Sequence, residues 1–377
     1  MMAEMGEEEI DRFSHLPDNI LLHILSFLDT KLCVQTAVLS TSWRSLWKHA
    51  PRLNFDIHSF PSDRDCGRFI KFLDHVLDSR SDASHIVKIS YKYSESPHRA
   101  LRNYEQYQLW VREHREGFER VLRYAESNHT QQIRIETELD DLLLPNSVGP
   151  FPGCDLELAR VSLYDAVAST WTGFSRLASL NLEECHIYSF GDAKSEFDLF
   201  AEFPCLKNLV LVDCNFINSG KCFQITGPQL VNLEIHGVKN LGCATVEIAA
   251  PKLKSLSLVL YLDVPKFSRF SLPLLDHASL GIKLAPYFLE ERRRVLTASF
   301  VTLFQALHNA ASLRFDNHII EAMSKICDGL EHYRCPFTRL QCLKVPRSRE
   351  PETIPDQLIS YFLKGSSSTN AGFLQFV

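Results

Sequence analysis

Four residues late in the chain are of the types that ligate metals: Cys327, His332, Cys335 and Cys342. Their spacing of four, two and six intervening residues fits no common structural zinc pattern, and no Cys-x-x-Cys knuckle accompanies it. Cys342 also falls within a strand-like run, so no metal is expected. Nucleophile elbows of the Gly-x-Ser-x-Gly kind, phosphate-cradling glycine loops and His-Glu-x-x-His are all missing. The expectation is a non-enzyme without a cofactor, whose chemistry is non-covalent association.

Aromatic and basic residues interleave from Tyr104 to Tyr124, as in some RNA-binding segments. A helix accounts for them better. Tyr107, Trp110, Val111, His114, Phe118, Val121, Leu122 and Ala125 share one face, and Glu116–Arg120 and Glu119–Arg123 are spaced to pair on another. "EERRR" (290–294) carries its own acids and reads as a solvated helix face rather than a nuclear signal.

Bulk properties narrow the classes further. The 377 residues are 45% hydrophobic with a net charge of −6, enough apolar material for a large core and too acidic for a general nucleic-acid binder. The opening "MMAEMGEEEIDRF" lacks the basic start of an export signal, and no run is long enough to span a bilayer. The 11 scattered cysteines are then expected to be reduced, and the Asn128-His129-Thr130 sequon unglycosylated. The expected location is the cytoplasm, the nucleus or both, with neither membrane nor nucleic acid as a partner.

The elements that must position any binding surface are legible as patterns. Residues 12–50 predict three short helices: one from Asp18 to Leu28 behind Pro17, one over Lys31–Val38 capped by Thr30, and one through Trp43 to Lys48 capped by Ser40. "RLNFDI" (52–57), "IVKISYKY" (86–93) and "QIRIETEL" (132–139) alternate like half-buried strands, with helices over about 68–80 and 104–126 between them. Then comes a repeat. "LASLNLEEC" (177–185), "LKNLVLVDC" (206–214), "LVNLEIHGV" (230–238) and "LKSLSLVLY" (253–261) share Leu-x-x-Leu-x-Leu/Ile, their first leucines 29, 24 and 23 residues apart. That is the signature of leucine-rich repeats, each giving one short parallel strand that buries its anchors against its neighbours. "LARVSLYDA" (158–166), "LLDHASLGI" (274–282), "AASLRF" (310–315) and "FTRLQCLKV" (337–345) read as weaker copies. Cys185 and Cys214 share one repeat position, where a small buried residue fits.

The expected organisation is a disordered 1–10, a helical module over 11–51, a repeat domain over 52–346 and a tail over 347–377. The tail holds one helix ("DQLISYFL", 356–363) and a disordered "GSSSTNAG". The fold class is α/β, with the three-helix module preceding a solenoid with a parallel sheet. Between the strand anchors, alternation turns Asn181, Glu183, Val210, Val212, Glu234, His236, Ser257 and Val259 to the concave side, beside Ser179, Asn208, Asn232 and Ser255. Val210, Val212 and Val259 form either a dry binding patch or a surface covered by a loop.

The first helix is more apolar than two short neighbours can bury. Ile20, Ile24, Phe27 and Leu28 form one stripe and Leu21, Leu25 and Leu28 an adjoining one. The surplus meets either the chain's own repeats or an external partner. Residues 11–56 closely resemble an F-box of the plant F-box/leucine-rich-repeat family. The likeness rests on Leu16-Pro17, the core "ILSFL" (24–28), Val38-Leu39-Ser40, Trp43-Arg44, Leu46-Trp47 and "APRLNFD". Three features depart from the family pattern: Thr41-Ser42 where Lys-Arg is common, Asp29 where proline is common, and no recognisable extra C-terminal domain before Val377, which suggests a shortened variant.

The resemblance implies a non-catalytic substrate receptor of a Skp–cullin–F-box ubiquitin ligase. Its implied adaptor contacts are Leu16, Pro17, Ile20, Leu21, Ile24, Leu25 and Leu28, with Val34 and Val38 from the second helix. Trp43 and Trp47 would hold the module together, and the repeats would hold a protein substrate. A scaffold that binds the adaptor without recruiting a ligase is the alternative.

Overall fold

A computed structural model of the chain describes residues 16–60, 66–80, 86–93, 104–137, 153–164, 174–188, 198–217, 222–239, 245–262, 266–284, 293–346, 355–365 and 373–376. Residues 1–15, most of "EERRR" and 366–372 of the serine-rich tail lie outside them. The chain divides into two compact units, Met1–Thr137 and Glu138–Val377.

In the first unit, α1 (Asp18–Leu25), α2 (Thr30–Gln35) and α3 (Trp43–Leu46) form the helical module, with 3-10 turns continuing α2 through Thr36–Val38 and α3 through Trp47–His49. Helix α1 stops three residues short of Leu28 because the chain tightens. The amides of Phe27 and Leu28 bond back three residues, to Ile24 and Leu25. Capping also differs from expectation. Asp29 caps α2, its carboxylate accepting from the Leu32 amide at 2.8 Å. Thr30 is buried instead, and Ser42, not Ser40, precedes α3. Strands β1 (Arg52–Asp56), β2 (Lys88–Tyr93) and β3 (Gln132–Thr137) run parallel in that order, connected through α4 (Cys66–Ser79) and α5 (Tyr104–Ser127).

Helix α5 buries His114, Phe118, Val121, Leu122 and Ala125, the face its periodicity predicts. Arg123 pairs with Glu119 at 3.0 Å as expected. Arg120 instead reaches Asp74 (2.9 Å) and Asp78 (2.8 Å) on α4, a tertiary contact that i, i+4 spacing does not foresee. His114 donates or accepts at both ring nitrogens, 2.9 Å from the Tyr91 hydroxyl and 3.0 Å from Thr137 Oγ1. Burial lowers its pKa to about 3, so the imidazole is neutral.

The second unit is built on a parallel sheet. Its strands are β4 (Asp155–Ala159), β6 (Ser179–Glu183), β8 (Asn208–Val212), β11 (Asn232–Val238), β13 (Ser255–Leu262), β15 (His277–Leu284), β16 (Ser312–Phe315), β17 (Cys342–Val345) and β18 (Leu374–Phe376), in that order. Two smaller parallel sheets accompany it: β5 (Ser162–Tyr164), β7 (His186–Tyr188) and β9 (Asn215–Ile217), then β10 (Cys222–Thr226), β12 (Thr245–Ala249) and β14 (Lys266–Ser271). No barrel closes. Among the described residues the unit also contains helices α6 (Arg293–Ala306), α7 (Asn317–Ser324), α8 (Cys327–Leu330) and α9 (Asp356–Gly365).

The four clean repeats pair with their anchors in register: Leu180, Leu209, Leu233 and Leu256 lie side by side, as do Leu182, Leu211, Ile235 and Leu258. Three weaker copies shift. Leu156 and Leu158 of β4 are the partners of Leu180 and Leu182, while Val161 and Leu163 belong at the small sheet beginning with β5. The next anchors run from Leu275, since Leu274 is exposed and Leu280 pairs with Leu258. In the last, Leu343 pairs with Leu313, so Leu340 takes the place given to Phe337. The tail continues this sheet through β18, which pairs with β17 beyond the repeat boundary expected at 346.

After each of β4, β6 and β8, and within β11, one residue turns through positive φ: Arg160 (56°), Glu184 (52°), Asp213 (51°) and Gly237 (67°). The turn aims the following Val161, Cys185, Cys214 and Val238 inward, where all four are buried. Both cysteine thiols donate to carbonyls of the preceding repeat, Cys185 to Leu158 and Cys214 to Leu182, each at 3.3 Å. The neighbouring Cys185 sulfur and burial push the Cys214 thiol pKa up.

Candidate partner-binding surfaces

The helical module is fastened to the rest of its unit from below. Trp43, Leu46 and Trp47 are buried with Leu21, Leu25 and Cys33. The Cys33 thiol donates to the Leu25 carbonyl at 3.2 Å, and burial pushes its pKa up to about 12, so it stays a thiol. Thr30 Oγ1 accepts from the Asn54 amide of β1 at 2.7 Å. Lys31 donates to the Ser59 carbonyl and lies over the Phe60 ring, 4.4 Å from its centroid. Arg80, at the end of α4 and itself buried, donates to the carbonyls of Trp47 (3.1 Å) and Ala50 (2.7 Å). Burial lowers the Arg80 pKa from its ordinary value.

This fastening decides which of the implied adaptor contacts face outward. Leu21 and Leu25 do not; they point into the module, and that part of the carried-over set is corrected. Pro17, Ile20 and Val38 are exposed, and Leu16, Ile24, Leu28 and Val34 are half-buried. Three more exposed apolar side chains join them: Phe27, Leu32 and Leu39. Phe27 is 70% exposed, Val38 86% and Leu39 66%, unusual values for large apolar residues on short packed helices. Leu32 and Leu39 lie outside the implied contact set, although Leu39 belongs to the Val38-Leu39-Ser40 run that carries the resemblance.

The second surface is the outer row of the repeat sheet. Asn181, Val210, Glu234 and Ser257 lie side by side across β6, β8, β11 and β13, and Glu183, Val212, His236 and Val259 form the next row. Each strand alternates buried anchors with these more accessible residues, which brings the eight implied substrate contacts together on one face. The three valines are half-buried. Polar neighbours bond along the strand ends: Asn208 donates to Ser179 Oγ at 2.9 Å and Asn232 to Asn208 Oδ1 at 2.7 Å. His236 Nε2 lies 3.3 Å from Ser257 Oγ and 3.8 Å from Glu234.

Among the described residues no group of three or more His, Cys, Asp or Glu is arranged to hold a metal. Of the four late metal-type residues, Cys327 belongs to α8, Cys342 to β17, His332 is exposed and Cys335 is buried. No helix among the described residues is long and apolar enough to cross a membrane.

Comparison with known proteins agrees with this division. Residues 13–55 match the F-box domain. An F-box/FBD/LRR-repeat protein of Arabidopsis thaliana is 31% identical over 226 residues, covering 60% of this chain and 49% of that relative. F-box/LRR-repeat protein 13 of the same plant is 27% identical over 263 residues, covering 67% of this chain and 52% of its own length. An FBD-associated F-box protein reaches 51% identity over 65 residues, 17% of this chain and 15% of the relative. The chain spans about half the length of the first two. The helical module of the first unit is thus an F-box domain, on a chain similar over about 60% of its length to plant F-box/LRR-repeat proteins.

Proposed function

We propose that the chain is the substrate-recognition subunit of a Skp–cullin–F-box ubiquitin ligase. In this reading the F-box binds a Skp-type adaptor, which brings the cullin, and the repeat face holds a protein to be ubiquitinated. The chain performs no bond chemistry. It raises the effective concentration of a substrate lysine beside the charged conjugating enzyme. We place it in the cytoplasm or nucleus, where that machinery works.

The observation that carries the reading is the apolar surface of Pro17, Ile20, Phe27, Leu32, Val38 and Leu39 on a module already fastened on its other side. Each aliphatic buried by a partner stabilises the complex by about 1.5–3 kcal/mol, so several together outweigh the cost of association. Co-expression of the full chain with a Skp-type adaptor and cullin tests it. Co-elution of all three supports the ligase reading. An adaptor complex that excludes cullin favours the scaffold, and a folded chain that binds no adaptor overturns both.

A further inference from the structure

Segment 331–335 and helix α9 line a cleft of about 270 Å³ in the second unit. Its rim carries His332, Arg334 and Lys364, all exposed, against one acid, Glu331. Neither Arg334 nor Lys364 forms an ion pair or hydrogen bond with any described residue. Tyr361, a residue only 5% exposed, also lines the cleft. Among the described residues none hydrogen-bonds its hydroxyl, which keeps some contact with solvent. Burial, with Cys335 beside it, pushes the phenol pKa up, so this hydroxyl is a donor at neutral pH. Gln357 adds an amide at the wall.

A solenoid end normally needs only a polar outer face. Two unpaired cations beside an unpartnered hydroxyl donor in one cleft form a more specific arrangement, suited to an anion with several acceptor oxygens and more than one charge. A phosphate monoester has both, with three terminal oxygens and a charge between about −1.5 and −2 at neutral pH. The Arg334 fork can take two oxygens at once while Lys364 acts as a point charge. We propose that this cleft binds a small phosphate monoester. All its lining residues belong to the second unit.

Calorimetric titration of the full chain at low salt with inorganic phosphate, glycerol phosphate and malonate tests this. Glycerol phosphate is expected to bind at least tenfold more tightly than malonate, a dianion without the phosphoryl geometry. Inorganic phosphate separates recognition of the free ion from recognition of the ester: tighter binding of the ester is expected. R334E with K364E should lose at least tenfold in affinity, and Y361F, which keeps the ring, should lose threefold or more with an unchanged melting temperature. No binding of glycerol phosphate, equal binding of malonate or of the free ion, or unaltered affinity in R334E/K364E would overturn the proposal.

Discussion

Thr30 and Asn54 join the F-box domain to the first strand of its own unit, the threonine hydroxyl accepting the strand amide at 2.7 Å. Because Asp29 already caps α2, Thr30 is released for this bond. Arg80 makes the second tie, to Trp47 and Ala50. Thr30→Val removes the acceptor at nearly constant volume and is expected to cost about 1 kcal/mol. Arg80→Met removes two charged donors and should cost about 2–3 kcal/mol. Urea melts of the full chain measure both. If neither variant is less stable, the two ties do not hold the module.

Outward and inward leucines of the same module should separate binding from folding. Val38→Asp with Leu39→Asp alters exposed positions and should leave stability within about 0.5 kcal/mol, yet weaken adaptor binding at least about 100-fold. Leu25→Ala opens a hole in the core and should cost about 2–5 kcal/mol. Binding and melting of both variants decide the matter. An adaptor that still binds the double aspartate variant must use another face.

The difference between those residues was not legible in the sequence. Both stripes of α1 are aliphatic, and its polar Asp18, Asn19 and His23 mark the solvent side without telling which stripe turns inward. Contacts from Trp43, Leu46 and Trp47, and the pull of Arg80 from 30 or more residues away, choose the inward side. The repeats were easier, because Leu180, Leu209, Leu233 and Leu256 stack in a fixed register and their period survives variable loops. It failed where an anchor is weak, as at Ala278, which pairs with Leu256 but looks unlike it. The cleft beside Tyr361 had no local signal at all, since α9 and residues 331–335 meet only in the fold.

Among the described repeat turns, Gly237 is the one occupied by glycine at positive φ. Its φ of 67° is the left-handed region, and an added Cβ would meet the Asp213 carboxylate. Gly237→Ala is therefore expected to destabilise the second unit by about 1–3 kcal/mol. Glu184→Gly, at the equivalent turn, should fall within about 0.5 kcal/mol of the parent, because relief of the left-handed strain offsets the added chain entropy. The exposed Arg160–Glu184 pair it removes contributes little. Equal losses in the two variants would mean that the turn geometry does not matter.

His114 makes the first unit sensitive to acid in a defined direction. Burial holds its folded pKa near 3 against an ordinary value of 6.5, and the neutral ring meets Tyr91 and Thr137. Protonation is thus favoured in the unfolded chain. The contribution to stability is complete above about pH 6.5 and is lost as pH falls toward 3, at up to about 1.4 kcal/mol per pH unit. Between pH 6.5 and 5 this group alone should account for roughly 2 kcal/mol. His114→Gln cannot titrate, so urea melts at the two pH values should show a smaller loss in the variant by about that amount. Equal losses would mean that the buried ring takes up its proton without unfolding, and that the Tyr91–His114–Thr137 cluster tolerates a charge.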